Sequence, residues 1–372
     1  MKILLDDGLQ KSVGTGIGRY TETLFSSLSA LPDTEVTRED FGTGQRARKR
    51  ARLIYLRYLA SRRYREKAAA FDVVHYTNYA MPRRLPRGVL SAVTVHDLTA
   101  FCHPETLPPL YAFYNRHMIR RAVARADLIF TVSEAVRAEL AARFPAAAGK
   151  SVTVPPGLYR EQVAAPAGNF ENPALSGLLP ASYFLFIGTL ETRKDPVTLL
   201  RAFRRFYHEN KTRFGTFSLV LAGRPGRGYE EIEREVALAK KEGADIRLPG
   251  YLSSADCARL YHRAAAFVFP SLYEGFGSPQ TEAMSAGLPL LLSDIPTNRE
   301  VSGDYGLYFP VRDGEALCAL MEKVASDPQK DAGQRREKAA GVLARFDPLA
   351  LAEKTRTAYE QAMKRTGKEK KK

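Results

Sequence analysis

Residues Phe267 to Leu292 read FVFPSLYEGFGSPQTEAMSAGLPLLL. The apolar run Phe267 to Pro270 has the length and composition of a buried strand. Small and polar residues from Ser271 to Gly277 interrupt it before a helix opens at Ser278 to Glu282. Strand, glycine-rich loop and helix in that order make an anion site. Ser278 is placed to cap the helix, Pro279 suits its first turn, and the N–H groups of that turn point at any negative ligand above the loop. Two carboxylates accompany the amides, Glu274 in the loop and Glu282 one turn into the helix, both able to face one small volume above the strand's carboxyl end. Carboxylates accept from hydroxyls and amides donate to phosphates, so a sugar joined to a nucleoside diphosphate satisfies the whole stretch. The plainer alternative makes Glu282 a solvated helix-start acid and Gly275 and Gly277 turn residues.

The rest of the chain bounds this reading. At 372 residues it is long enough for two domains with separate cores. Its three cysteines, Cys102, Cys257 and Cys318, lie far apart and form no CxxC or Cys/His cluster, so neither a disulfide framework nor a structural zinc site is indicated and a reducing compartment is expected. No run approaches the roughly 20 apolar residues of a membrane span, and no secretory leader is expected. The net charge of +15 raises the question of nucleic acid, and its distribution argues against it. Ten bases between Arg46 and Lys67 stand against Glu66, net +9, and six between Lys364 and Lys372 stand against Glu369, net +5. The remainder of the chain carries about +1, too little for a broad nucleic-acid face.

Read in order, the chain alternates short apolar strands with helical segments, which predicts parallel sheets covered on both faces. In the first half the expected strands are Lys2–Asp6, Glu35–Arg38, Asp72–Thr77, Val89–His96, Leu128–Val132 and Ser151–Pro155. Helices are expected at Gly18–Ala30, over the basic segment 46–67, and at Pro109–Ala126 and Ser133–Phe144. Gly14, Gly16 and Gly18 sit where the first strand hands over to its helix, without the spacing of a dinucleotide fingerprint. Leu158 to Ser182 shows no period and marks the domain boundary. The pattern then restarts, with strands at Tyr183–Gly188, Phe217–Ala222, Ile246–Leu248, Ala266–Phe269, Pro289–Ser293 and Gly306–Phe309. Helices are expected at Pro196–His208, Tyr229–Lys240 and Ala255–Ala264, and three more, Glu315–Ser326, Gln334–Arg345 and Pro348–Lys364, close the chain. The fold class is α/β, with two doubly wound, Rossmann-like domains, 1–160 and 175–345, expected to face each other across a cleft that holds the ligand at the carboxyl ends of their strands.

Several stretches together resemble the nucleotide-sugar glycosyltransferases of GT-B fold, and among them the large retaining group called glycosyltransferase family four. They are Gly16-Ile17-Gly18-Arg19-Tyr20, Val95-His96-Asp97, Thr131-Val132-Ser133-Glu134, Pro155-Pro156-Gly157, Ile187 to Lys194 (IGTLETRK), and Glu274-Gly275-Phe276-Gly277 with Glu282 eight residues after Glu274. The resemblance covers nearly the whole chain, and its last motif is the most specific. It implies that 1–160 is the acceptor-side domain, 175–345 the donor domain, and 346–372 a helix returning to the first domain before a basic tail. It also implies roles. Glu274 resembles the acid that holds hydroxyls of the donor sugar and Glu282 the one that accepts from the ribose. Phe276, Gly277 and Ser278, beside Gly275, offer backbone N–H groups. Thr189 is among the donor-binding residues, and Arg193 and Lys194 resemble the cationic pair on the diphosphate, neutralising the leaving group. His96 and Asp97 lie against the transferred sugar, Gly16 allows close approach to the phosphate, Arg19 supports that loop or the acceptor, and Tyr251 and Leu252 sit where the family holds the base. The family commonly has Leu-Pro-Val-Leu where this chain has Ser278-Pro279-Gln280-Thr281, a departure that predicts a more polar pocket wall.

The reaction implied moves a hexose, mannose-type favoured, from a GDP- or UDP-sugar to an acceptor hydroxyl with retention, on a saccharide or lipid-linked saccharide. No Asp-x-Asp occurs, so no metal is expected, and no cofactor beyond the sugar nucleotide. A cytoplasmic enzyme is expected, peripheral at the inner face of the membrane if the basic segment 46–67, with Leu53, Ile54, Leu56, Tyr58, Leu59 and Tyr64 among its arginines, lies on anionic lipid. Two readings stand beside this one: a sugar-nucleotide epimerase or phosphorylase of the same fold, and a basic nucleic-acid-binding or membrane-binding protein.

Overall fold

Strands whose every residue is apolar belong where both faces are covered, and the computed structural model places them so. It describes residues 1–6, 16–39, 51–158, 168–178, 182–214, 217–328 and 330–368, with side chains from 54 onward in the segment that starts at 51. By contacts the chain divides into two units, Met1–Pro104, Pro108–Leu158 and Phe346–Lys372 in one, Glu105–Leu107 and Tyr159–Arg345 in the other.

The first unit runs β1 (Lys2–Asp6), α1 (Gly16–Ser29), β2 (Glu35–Glu39), α2 (Ala51–Ala60), α3 (Arg62–Ala68), β3 (Val73–Tyr76), β4 (Leu90–Val95), α4 (Thr99–Cys102), α5 (Pro109–Arg125), β5 (Leu128–Thr131), α6 (Glu134–Arg143) and β6 (Ser151–Thr153). Its six parallel strands pair in the order β2-β1-β3-β4-β5-β6. The second runs β7 (Tyr183–Ile187), α7 (Pro196–Phe214), β8 (Ser218–Ala222), α8 (Tyr229–Lys241), β9 (Asp245–Gly250), α9 (Ser254–Arg263), β10 (Ala266–Phe269), α10 (Ser278–Ser285), β11 (Leu290–Ser293), α11 (Pro296–Ser302), β12 (Leu307–Phe309), α12 (Gly314–Ser326) and α13 (Ala332–Leu343). Its order is β12-β11-β10-β7-β8-β9, again parallel throughout. The strand order reverses between β7 and β10, and at such a reversal the loops leaving the two strands diverge and open a crevice at their carboxyl ends. Those loops are the one carrying Arg193 and Lys194 and the one carrying Glu274 to Gly277.

The last helix, α14 (Pro348–Thr366), belongs to the first unit. Its face of Leu351, Ala352, Ala358, Tyr359, Ala362 and Met363 packs into one cluster with α1 and the strands β1, β3, β4 and β5.

Three expectations change. Arg46 to Arg50 lie outside the described residues, and the rest of the basic segment is two helices rather than one, broken at Ser61, whose hydroxyl caps α3 by accepting from Tyr64 N–H at 3.1 Å. Its large apolar and aromatic residues mostly turn inward: Tyr55, Leu59 and Tyr64 are buried, while Ile54 is exposed. The buried Asp6 carboxylate at the end of β1 accepts from the hydroxyls of Tyr55 (2.5 Å) and Tyr64 (2.7 Å), and Glu39 at the end of β2 accepts from Tyr58 (2.6 Å) and pairs with Lys67. Finally, the expected linker is not slack where it is described. Glu171 and Asn172 donate their N–H groups to the buried Asp256 carboxylate of α9 at 2.9 and 3.0 Å, and Asn172 also donates to Pro249 C=O.

Candidate active site

The loop after β7 is positioned by the glycine loop after β8. Gly188 N–H donates to Ala222 C=O, Leu190 N–H to Arg224 C=O, Gly226 N–H to Leu190 C=O and Thr192 N–H to Arg227 C=O, all at 2.9 Å. The two chains approach so closely that a Cβ on Gly223 would lie 1.8 Å from Gly188 O, so only glycine fits there. Laced in this way, the chain makes one 3-10 turn, Thr192–Lys194, and stops at Asp195 with φ +47°, a left-handed conformation tolerated by few residues besides Asn, Asp and Gly. The Asp195 carboxylate then holds the start of α7 through Thr198 N–H (3.3 Å) and hydroxyl (2.7 Å). A strained, doubly anchored turn is what presents Arg193 and Lys194.

These two cations meet Glu274 from the other loop. Lys194 Nζ contacts Glu274 Oε1, Arg193 Nη1 lies 3.3 Å from Glu274 Oε2, and Arg193 Nη2 pairs with Glu191 at 2.7 Å. Arg193 Nη1 also donates to Tyr273 C=O at 2.8 Å, Leu272 N–H donates back to Arg193 C=O at 2.9 Å, and Lys194 Nζ sits 4.7 Å above the Phe269 ring. Burial opposes charge on both sides of this cluster. On Glu274 the two cations outweigh it and hold the carboxyl below the ordinary range, while on Lys194 burial wins over Glu274 and pulls the ammonium down. Glu274 is ionised at neutral pH, and two cations and two carboxylates balance to zero before any ligand arrives.

Ser278 does not cap α10 as expected. The N-cap is Gly277 at φ +82°, without a side-chain bond; Ser278 is the first helical residue, and Pro279 takes the first turn. Glu282 is buried on the α9 side, accepting from Tyr261 hydroxyl at 3.0 Å. Within the Ser-Pro-Gln-Thr stretch, Gln280 is fully buried and donates to Phe276 C=O (2.8 Å) and Asn298 Oδ1 (3.3 Å), while Ser302 donates to its carbonyl (2.7 Å). After β9, Tyr251 is half exposed with the Arg224 guanidinium 4.3 Å above its ring, and Leu252 is buried beside it; Thr189 is exposed at the end of β7.

In the first unit, His96 follows β4 and its Nε2 lies 2.7 Å from Thr77 C=O. A carbonyl only accepts, so Nε2 carries the proton. Burial lowers the imidazole's pKa, against the Thr77 carbonyl and Asp97, so the ring is neutral and its Nδ1 keeps a lone pair. Tyr20 packs its ring edge-on to His96 at 4.9 Å, which brings the start of α1, with Gly16 and Arg19, to the same end of the sheet; Gly14 and Thr15 lie outside the described residues. Asp97 accepts from Thr99 N–H at 2.9 Å, at the first residue of α4, whose N-cap position is Leu98. The sequence reading assigned nothing to Glu191, Tyr261, Thr297 or Asn298. Glu191 lay inside a motif already quoted, and the signal for the last pair was Pro296, which opens a helix too short to show a period.

Comparison with known proteins gives the family and agrees with the two-unit α/β fold. The model for glycosyl transferases group 1 matches residues 179–341, and that for glycosyltransferase family 4 matches 23–162. The O-antigen chain mannosyltransferase B of Escherichia coli is 32% identical over 266 residues, 71% of this chain and 68% of that one. Sucrose-phosphate synthase from Thermosynechococcus elongatus superposes with a TM-score of 0.74 over 98% of this chain and 100% of its own at 19% identity. Anabaena HepE, solved in complex with UDP and glucose, does so at 0.69 over 97% and 100% at 14% identity.

Proposed function

This chain belongs to the group 1 glycosyltransferases, and from that premise we propose that it transfers a hexose, mannose-type, from a nucleoside-diphosphate sugar to an acceptor hydroxyl with retention, in the synthesis of a cell-surface glycan of O-antigen type. The observation that carries the reading is the Arg193–Lys194–Glu274 cluster beside the glycine-rich loop at the β7/β10 reversal. A diphosphate leaving group needs charge neutralised as it departs, and two preorganised donors supply that. Glu274 is held by both of them, which makes it an orienting acceptor for sugar hydroxyls rather than a nucleophile. Retention is then served by a same-face path in which the departing diphosphate oxygen takes the acceptor proton. Glu282, set by Tyr261, accepts from the ribose, and the exposed Tyr251 under Arg224 offers a face for the base. His96 with its free-lone-pair Nδ1, Asp97, Gly16 and Arg19 serve the sugar and acceptor side. No metal or cofactor takes part in this reading.

A GDP- or UDP-sugar is the donor, and a saccharide or lipid-linked saccharide the acceptor. The mannosyltransferase relative supports mannose, and HepE's UDP supports a uridine nucleotide, so the base is decided by experiment. Thermal shift and transfer assays with GDP-mannose, UDP-glucose and ADP-glucose test this: a rise in melting temperature and turnover with one donor is expected. No shift and no transfer with any of them would overturn the transferase reading.

A cytoplasmic, peripheral-membrane position is part of the same reading. Cys102, Cys257 and Cys318 are in no disulfide, which fits a reducing compartment, and among the described residues no helix is long and apolar enough to cross a membrane. With the aromatic side of 54–64 turned inward, support for lipid contact shifts to α5. This helix has four arginines and no acid, and Leu110 (85%) and Phe113 (71%) stand exposed near its start.

A further inference from the structure

We propose that Thr297, Gln280 and Ser293, backed by Asn298 and Ser302, are positioning residues that turn the peptide groups of the Ser271–Gly277 loop so that the Leu272 N–H meets the cationic turn and those of Gly275 and Gly277 turn toward the donor diphosphate; this rests on reading that loop as the donor site. Three loop carbonyls are captured by side chains. Ser293 hydroxyl donates to Ser271 C=O at 2.6 Å, Thr297 hydroxyl to Glu274 C=O at 2.8 Å, and Gln280 Nε2 to Phe276 C=O at 2.8 Å. Across a planar trans peptide the C=O of one residue and the N–H of the next point in opposite directions. Pulling those three carbonyls toward α10, α11 and β11 therefore turns the N–H groups of Leu272, Gly275 and Gly277 the other way. For Leu272 the outcome is visible, since its N–H donates to Arg193 C=O in the cationic turn. The Tyr273 carbonyl is taken by Arg193 itself.

The clamp is locked from behind. Asn298 Nδ2 donates to Ser293 C=O (2.9 Å) and Oγ (3.2 Å), its Oδ1 accepts from Gln280, and Ser302 holds the Gln280 carbonyl. Gln280, Ser293, Asn298 and Ser302 are fully buried, so no water can replace a lost partner and each bond fixes geometry. Gly277 completes the fit: a Cβ there would lie 2.6 Å from Gln280 Nε2. Polar residues at 280 and 298 thus belong together, and the polarity at Gln280 serves the loop's backbone rather than the ligand.

Thr297→Val removes one hydroxyl with almost no change of shape, Thr297→Ser restores it, and Gln280→Met removes the amide at similar length. Hydrogen exchange of peptides spanning Leu272–Gly277 is measured in the unliganded proteins, and GDP and UDP binding by calorimetry. The valine and methionine variants are expected to exchange the loop about tenfold faster and to bind the nucleotide about tenfold more weakly, the scale of one buried hydrogen bond, with Thr297→Ser like wild type. Wild-type loop exchange in both Thr297→Val and Gln280→Met would overturn the proposal, as would faster exchange spread evenly over the second unit. Should wild type bind neither nucleotide, the donor reading fails, and the exchange rates alone decide whether the clamp holds the loop.

Discussion

At the scale of single residues, Arg193 and Lys194 are not equivalent, although they are neighbours. Arg193 spreads its fork over Glu191, Glu274 and Tyr273 C=O, so it is also a brace between the two loops, whereas Lys194 contacts Glu274 and the Phe269 face. Lys194→Ala is therefore expected to lower turnover about a hundredfold with the fold intact, the usual cost of one preorganised charge donor. Arg193→Ala should lose turnover to a similar degree and also loosen the loop; near-normal turnover in both variants would remove the pair from the site. The ion pairs also change what Glu274 is expected to do. A carboxylate contacting only sugar hydroxyls could be removed without touching nucleotide affinity, but this one pairs with both buried cations, and removing it leaves Arg193 only Glu191 and Lys194 without its carboxylate. Glu274→Gln should thus cost turnover by about a hundredfold or more and alter GDP or UDP binding as well, while Glu282→Ala weakens binding of the bare nucleotide. Calorimetry in which Glu274→Gln leaves nucleotide affinity untouched would return Glu274 to the hydroxyl role alone.

At the scale of elements, strands were readable and the inward faces of short helices were not. Fully buried parallel strands carry apolar residues at every position, so Phe267 to Phe269 or Phe184 to Phe186 declare themselves without neighbours to compare. Helix α10 could not declare its inward face, because Gln280, Thr281, Glu282, Ala283 and Met284 are all buried and an eight-residue helix covered on most sides has no polar stripe. That is why Gln280 read as pocket wall, and why α11, which supplies Thr297 and Asn298, was not read at all. Glu274 beside two cations was legible as chemistry, but its pairing with them depends on the β7/β10 reversal, which no local pattern encodes. The basic segment misled for a further reason: tyrosines interleaved with arginines look interfacial until buried acids at the strand ends appear as partners for their hydroxyls. Those bonds set the expected stability effects. Tyr64→Phe and Tyr55→Phe each leave the buried Asp6 carboxylate one donor short, so each is expected to cost about 1–3 kcal/mol in denaturant unfolding. Losses below about 0.5 kcal/mol in both would mean that packing alone seats α2 and α3.

At the scale of the whole molecule, the basic segments that dominate the charge are partly spent within the first unit. Lys368 pairs with Asp127 at 2.7 Å, Arg365 donates to Gly149 and Asp127 carbonyls, and Lys67 pairs with Glu39. The lipid contact proposed above therefore rests on Leu110 and Phe113, exposed near the start of α5, and on the arginines further along that helix, each base adding about 1 kcal/mol near an anionic surface. Co-sedimentation with anionic vesicles at low salt should fall for Leu110→Ser/Phe113→Ser; equal pelleting with neutral vesicles, or no effect of that pair, would sink it. The chain's return to its first unit has a separate signature in pH. Buried His75 of β3 joins α14, its Nδ1 2.7 Å from Tyr359 Oη and its Nε2 2.8 Å from Thr94 Oγ1, a link between residues 284 apart in sequence. Burial, with His96 nearby, pushes this imidazole down from 6.5 to about 3. The unfolded chain therefore binds a proton near pH 6.5 that the folded chain refuses, so His75's contribution is intact above that pH. It is lost as pH falls from about 6.5 toward 3, at about 1.4 kcal/mol per unit for one proton. Denaturant unfolding at pH 7.5 and 5.5 should show wild type losing about 1.4 kcal/mol more than His75→Gln, which has no proton to take up. Parallel losses in the two proteins would mean that His75 is reached by solvent, and that α14 does not seal this side of the sheet.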